Sequence, residues 1–260
     1  MLPVFTLCAC TGNEESRMTV DILDIGKADC IVLCTGTSVC MIDTGEEEDL
    51  DDIRSYLSGH GIQKIDYLII SHLDKDHVGG ASGIVDNYEI GQVYLTAFDK
   101  DTDSVSRFLS SLENKGITPH RLTQDQTLSF GEATLTLSPP KAASYSKKED
   151  NNASLVVLAQ LGEERLLFCG DAMEARIDEL VKEDIGNIRF LKIPYHGKEI
   201  SNLAALLDKT TPAICAVTCS NKNPPDESTL SLLNERNVKT YLTEDGPVHV
   251  SVSTTSLSVS

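Results

Sequence analysis

The chain has no tryptophan, and aromatic residues make up only 5% of it. Its core must therefore be built from aliphatic side chains. No apolar run approaches the ~20 residues that a membrane-spanning helix needs. Histidine is scarce, six in 260 residues, which makes any crowding of histidines informative. The eight cysteines include no CxxC pair, and most of them (Cys30, Cys34, Cys40, Cys169, Cys215 and Cys219) fall inside strand-like apolar runs. They read as small buried hydrophobes rather than zinc ligands or a disulfide frame, with a bridge from Cys30 or Cys34 to Cys40 left open. Basic residues are also few, 22 against 40 acidic ones, for a net charge of −18. That balance excludes bulk electrostatic attraction to nucleic acid or to an anionic membrane surface, so a polyanionic substrate has to be held locally.

At this length the chain can form one large domain or two small ones, and no internal boundary or repeat is evident. The expected organisation is a leader and linker over residues 1–17 and a single domain over 18–260. The first ten residues are apolar and end in Leu7-Cys8-Ala9-Cys10, which resembles the lipobox of bacterial lipoproteins. That resemblance implies a lipid anchor at Cys10 and an extracytoplasmic location. A signal peptide also needs a basic segment and a longer apolar core, both missing here, so a cytoplasmic chain with a disordered N-terminus is the alternative.

The stretch from Asp66 to Gly80 dominates the sequence. Tyr67 to Ile70 is an apolar run that reads as a short buried strand, and past its end come His72, Asp74, Asp76 and His77, closed by Gly79-Gly80. Two histidines beside two acids outline a metal site. In an extended segment alternate side chains share a face, so His72, Asp74 and Asp76 can line one pocket, and His77 can turn towards it as the chain bends. Four such groups would repel or desolvate one another without a cation among them. Gly79 and Gly80 are expected to supply backbone conformations that other residues resist. The plain alternative is a polar loop with solvated histidines.

Elsewhere strands alternate with helices. Strands are expected at Met18 to Leu23, Cys30 to Cys34 and Val39 to Ile42, with turns at Gly26 to Asp29 and Asp43 to Gly45. Asp51 to His60 has helical spacing, with His60 as its C-terminal cap. After Gly80 come a short helix, a strand Gln92 to Thr96, a helix Ser104 to Asn114 and a strand near Thr118. Strands Thr134 to Leu137, Ser154 to Leu158 and Arg165 to Cys169 follow, the last two forming a hairpin. Asp171 then stands before a helix, as its N-cap or as a ligand. A strand Ile188 to Ile193 leads into Pro194-Tyr195-His196-Gly197, where His196 is a loop histidine or a ligand. A helix Leu203 to Leu207, a strand Ile214 to Thr218, a helix Glu227 to Glu235 and two final strands complete an α/β pattern. His120 and His249 read as structural.

His72-Leu73-Asp74-Lys75-Asp76-His77 resembles the HxHxDH motif of metallo-β-lactamase fold hydrolases, with Asp in place of the middle His. Followed by Gly-Gly, this variant is similar to the C-terminal domain of ComEC-type competence (DNA internalisation) proteins and their stand-alone relatives. The resemblance runs from about Met18 to Val252 and implies a four-layered αββα sandwich, an α/β (α+β) fold. Gly26 to Asp29 is similar to the GxGD loop of that group and Asp43 to its first-motif Asp, which makes Asp29 and Asp43 supports beside the metal loop. Asp171 matches the Asp that bridges two metals, and His196 the His that completes the second site with Asp76, His77 and Asp171. Tyr195 takes the place of the first His in a Pro-His-His-Gly segment, where it can contact a substrate phosphate or supply a proton; Asp76 and Tyr195 are the candidate catalytic residues. A phenol titrates near pH ~10, which makes it a poorer acid–base group at neutrality. The third-motif His is missing, and Asp150, Asn151 or Asn152 occupies its place. The first metal site is left with His72, Asp74 and Asp171. The His of a Gly-His-Pro segment is likewise absent from the loop Ser220 to Pro225.

The implied cofactors are two divalent ions, Zn²⁺ or Mn²⁺, ~3.5–4 Å apart and sharing Asp171, which bring the pKa of a bridging water into the physiological range. A carboxylate at position 74 makes the first site harder and suits phosphate oxygens. The expected activity is hydrolysis of a phosphodiester, in a small molecule or a nucleic acid, with Lys192, Lys198 and Lys222 offsetting the negative field. Hydrolysis of a lactone, thioester or other acyl ester is one alternative, and a non-catalytic binding protein with a degenerate metal site is another. The membrane-spanning segments of ComEC have no counterpart here, so a transport role is not carried over.

Overall fold

The computed structural model describes residues 17–145 and 150–260. The lipobox-like Leu7 to Cys10, with its candidate anchor Cys10, lies outside the described residues. In chain order the elements are β1 (Arg17–Ile22), β2 (Ile31–Thr35), β3 (Val39–Ile42), α1 (Leu50–Gly59), β4 (Lys64–Ile70), α2 (Lys75–Val78), α3 (Ala81–Asn87), β5 (Glu89–Thr96), α4 (Asp103–Asn114), β6 (His120–Leu122), β7 (Gln126–Phe130), β8 (Ala133–Ser138), β9 (Val156–Leu161), β10 (Glu164–Phe168), α5 (Glu174–Leu180), β11 (Phe190–Lys192), α6 (Leu203–Thr210), β12 (Ile214–Val217), α7 (Glu227–Glu235), β13 (Lys239–Leu242), β14 (Val248–Ser253) and β15 (Leu257–Val259). They form an eight-stranded sheet, β15-β14-β1-β2-β3-β4-β5-β6, and a seven-stranded sheet, β13-β12-β11-β10-β9-β8-β7. Each sheet is antiparallel on one side and parallel on the other: β3, β4, β5 and β6 run parallel in the first, and β10, β11, β12 and β13 in the second.

Strand alternation explains the layering. On β4, Ile69 joins a cluster with Met18, Val20, Phe130, Leu135 and Phe168 drawn from both sheets, while Leu68 and Ile70 point the other way, to Ile53, Leu57, Phe108 and Leu112 of α1 and α4. The second sheet covers its outer face in the same manner with Ile177, Leu203 and Leu233 of α5, α6 and α7. The order is helices, sheet, sheet, helices, the expected four-layered αββα sandwich. A strand buried on both faces carries a continuous apolar run, which is why Tyr67 to Ile70 stood out in the sequence. Each fully buried aliphatic side chain contributes roughly 1.5–3 kcal/mol, so with no tryptophan the stability rests on the number of such side chains. Among the described residues no helix is long and apolar enough to cross a membrane.

Two strands, β7 and β15, were not expected from the sequence, and both are edge elements; the strand expected near Thr118 is β6, a short edge strand. β7 carries its apolar residues only at Leu128 and Phe130, β6 is half polar, and β15 adds a rim pairing to β14. His120 opens β6 and stacks on Tyr94 at 5.0 Å, and His249 of β14 bonds Asp21 at 2.7 Å, so both are structural as expected. His60 is the C-cap of α1, its Nδ1 2.8 Å from Tyr56 O. The six described cysteines are free, and Cys40 lies opposite Leu33 rather than a cysteine, so no bridge forms in this hairpin.

Gly79 and Gly80 differ from expectation in their reason for being glycine. Their φ values are −59° and −82°, ordinary for any residue. What excludes a side chain is proximity: a Cβ on Gly79 would collide with the backbone of Lys75 and Glu46, and one on Gly80 with the Thr44 carbonyl. The pair lets the helical turn after the histidines lie directly against the loop that follows β3.

A candidate metal centre at the carboxyl ends of the parallel strands

The site forms where open α/β sheets place their ligands, past the carboxyl ends of parallel strands. Asp43 follows β3, Ser71 and His72 follow β4, Asp171 follows β10, His196 follows β11 and Thr218 follows β12. Asp29 comes from the loop between β1 and β2. The backbone is bent to bring these groups inward: Asp43, Gly170, Tyr195, His196 and Gly197 all have positive φ. Gly170 and Gly197 accept that conformation freely, whereas Asp43, Tyr195 and His196 carry local strain that the surrounding structure must hold.

His72, His77 and His196 are nearly or fully buried, and each is fastened through its Nδ1. His77 Nδ1 lies 2.9 Å from Asp43 Oδ2. Asp43 also accepts the Ser71 amide at 2.7 Å and the Ser71 hydroxyl at 2.6 Å, and that hydroxyl oxygen lies 3.2 Å from His72 Nδ1. His196 Nδ1 is 3.0 Å from Thr218 Oγ1, whose proton goes to Asp29 Oδ1 at 2.6 Å. In each case the hydroxyl or carboxylate has its donor direction already used or has none, so Nδ1–H donates and Nε2 keeps its lone pair. The three Nε2 atoms are buried without a hydrogen-bond partner, as is Asp171 Oδ1.

These orphaned atoms converge. His77 Nε2 lies 3.4 Å from Asp171 Oδ1, and His196 Nε2 lies 3.1 Å from Asp171 Oδ2 and 3.4 Å from Asp76 Oδ2. Among the described residues three sets of donors could each hold an ion: His72, His77 and Asp171; Asp76, His77 and His196; and Asp29, Asp43 and His77. Burial without partners costs each polar atom about 1–3 kcal/mol, so the arrangement fits a divalent cation, whose coordination would satisfy them together. The second role of each imidazole, Nδ1–H to an oxygen acceptor, is the pattern that orients histidine ligands.

The electrostatics agree. Burial pushes the Asp171 and Asp76 carboxyls up, but the neighbouring imidazoles outweigh it and hold both well below the usual carboxylate range; Lys27, 2.8 Å from Asp76 Oδ2, adds to the effect. Burial lowers His72 below the ordinary histidine value and the charge of His77 lowers it further, which favours the neutral imidazole a metal requires. For His77 and His196 the carboxylates win over burial and raise the value. The centre attracts positive charge, as protons or as a cation.

Beneath it lies an ion pair that the sequence only hinted at. Lys192, fully buried at the end of β11, pairs with the buried Asp29 carboxylate and reaches Gly170 O at 3.4 Å. Burial opposes both charges, yet each raises the charged form of the other. Of the other lysines expected to offset the field, Lys198 bonds Pro224 O at 2.7 Å, and Lys222 is exposed in the turn Ser220 to Asn223.

The residues offered for the missing third motif do not join the donor sets. Asn152 Oδ1 accepts the Arg176 amide of α5 at 3.0 Å, so that oxygen serves a helix start. Asp150 and Asp74 are both taken by Lys100, at 2.7 and 2.5 Å. Asp74 Oδ1 stands 3.8 Å from His72 Nε2. Tyr195 sits in the left-handed turn before His196, half-buried against the apolar cluster of the second sheet's helices. Sequence reasoning missed Lys100, Ser71, Thr218 and Ser154, whose hydroxyl oxygen accepts the Asp171 amide at 3.2 Å. Thr218 and Ser71 sit at carboxyl ends of parallel strands and Lys100 in the loop after one, so that rule applied to the strand pattern would have pointed to them.

The four-layered architecture is the metallo-β-lactamase fold, and the His and Asp groups gathered at its strand ends could hold divalent ions. Residues 23–104 match the family model described as the metallo-beta-lactamase superfamily. The chain is 27% identical over 230 residues to Recombination protein 2 of Haemophilus influenzae, a match covering 86% of this chain and 27% of that protein. It is 22% identical over 253 residues to ComE operon protein 3 of Bacillus subtilis, covering 88% of this chain and 32% of that protein. The chain thus spans about a third or less of the length of these relatives. Among solved structures, the metallo-beta-lactamase fold protein YhfI of Bacillus subtilis superposes with a TM-score of 0.59 at 12% identity, over 95% of this chain and 100% of that one, a likeness of fold.

Proposed function

We propose that the chain is a metal-dependent phosphodiesterase whose metal ligands are His72, His77, Asp76, Asp171 and His196, with Asp29, Asp43, Ser71 and Thr218 orienting them. The observation that carries this reading is the set of three buried imidazoles fastened at Nδ1, with unpartnered Nε2 atoms directed at one carboxylate. A divalent cation held there supplies a water-derived nucleophile at neutral pH and withdraws charge from the ester oxygen. The chain's own residues supply the rest. Asp43 and Asp29 keep the imidazoles in the Nδ1–H tautomer. Lys192 offsets part of the carboxylate charge from below.

Preference for a phosphodiester over an acyl ester is supported by the cations at the mouth. Lys27 and Lys100 are 40% and 31% exposed and stand against Asp76 and Asp74. In a chain of net charge −18 they offset the carboxylates they pair with and lower the negative field that a phosphate group meets at the mouth. Tyr195 is assigned hydrogen-bond donation to a substrate oxygen on its place beside His196. The names of the curated relatives, one of them a recombination protein, favour a nucleic-acid phosphodiester.

The test is hydrolysis of bis(p-nitrophenyl) phosphate and of p-nitrophenyl acetate by metal-stripped protein supplied with Mn²⁺ or Zn²⁺. Metal-dependent turnover of the diester, lost in Asp171→Ala with its fold intact, is expected. Turnover of the acetate alone would replace this reading with the acyl-ester one, and turnover of neither would leave a binding protein.

A further inference from the structure

The two halves of the centre are not equivalent. Asp76, His77 and His196 gather within reach of one ion, whereas Asp74, the carboxylate next along the chain from His72, belongs to none of the donor sets. Lys100 accounts for the difference. Its ammonium group bridges Asp74 Oδ1 at 2.5 Å and Asp150 Oδ2 at 2.7 Å. The Asp74 oxygen it holds is the one 3.8 Å from His72 Nε2. Apart from Asp171, which groups with His72 and His77 and is shared with the other half, Asp74 is the carboxylate beside His72, and one lysine holds it together with Asp150.

We propose that Lys100 is a resident cation that makes the centre asymmetric. One divalent ion is held tightly by Asp76, His77, His196 and Asp171, and the subsite around His72 draws its compensating charge from Lys100 in place of a second tight ion. A second ion would have to break two ion pairs and leave an ammonium group beside it, so it binds about tenfold or more weaker than the first. Lys27 does not act in the same way, because its single contact is with one oxygen of Asp76, which still groups with His77 and His196. The inference rests on the metal-centre reading above.

The experiment is calorimetric titration of EDTA-stripped protein with Mn²⁺ and with Zn²⁺, using the full chain, Lys100→Met and Lys100→Met/Asp74→Asn, with melting curves as a check of folding. The expected result is one tight ion in the parent, two of similar affinity in Lys100→Met, and a weak second ion again in the double variant. Two equally tight ions in the parent, or one tight ion in both the parent and Lys100→Met, would overturn the inference while leaving the metal-dependent hydrolase standing. No tight ion in any of the three proteins would remove both.

Discussion

Replacing Lys192 by methionine tests the electrostatic floor of the centre. The side chain and its partner Asp29 are buried, and among the described residues Asp29 has no other cation at ion-pair distance apart from the imidazoles of His77 and His196 at 3.9 and 3.6 Å. Methionine preserves the volume and removes the charge. Removing one member of a buried pair leaves the other uncompensated and costs about 3–5 kcal/mol. For a chain of this size each kcal/mol moves Tm by about 2–4 °C, so Lys192→Met should melt roughly 6–20 °C below the parent. Scanning calorimetry must be run with EDTA present, because a cation at a hundred times its Kd would restore about 2.7 kcal/mol. Lys192→Met/Asp29→Asn removes the stranded charge while the amide oxygen can still accept the Thr218 hydroxyl. It should recover most of the loss. A single variant within about 2 °C of the parent, or a double variant less stable than the single, would refute the pairing argument.

The legible part of the molecule was the part coded locally. β4 is buried on both faces, so it reads as an apolar run, and His72, Asp74, Asp76 and His77 follow it within seven residues. Asp171 and His196 come from strands far along the chain, and only their likeness to a family pattern singled them out. Their convergence on His77 depends on parallel pairing of β10 with β11, which no short window encodes. β7 and β15 escaped because edge strands bury one face at most and need few apolar residues. The glycine pair after His77 was visible as a pair, but its cause, the approach of Thr44 and Glu46, is a tertiary contact. Asn152 stood in the place of a missing ligand by sequence position, while its oxygen caps α5. Lys100 was silent for the same reason, since a lysine in an acidic, polar loop is ordinary until Asp74 and Asp150 are seen on either side of it.

Two further outcomes follow from these contacts. Gly80→Ala should destabilise the chain by about 1–3 kcal/mol although its φ suits alanine, because the methyl group would meet the Thr44 carbonyl; urea unfolding measures this, and a neutral variant would return the glycine to a conformational role. Asp43→Asn addresses how the imidazoles are held. The carboxylate accepts at both oxygens, from the Ser71 amide at one and from the Ser71 hydroxyl and His77 Nδ1 at the other. An asparagine in either orientation turns an amide donor towards a donor, at a cost of about 1–3 kcal/mol. The neighbourhood relieves it most readily by moving the His77 proton to Nε2, which removes the lone pair directed at Asp171. Metal affinity, read by competition with a chromophoric chelator, should fall about 10–100-fold. If Asp43 were only a fold support, Tm would drop while the affinity of the remaining folded protein stayed at the parent value.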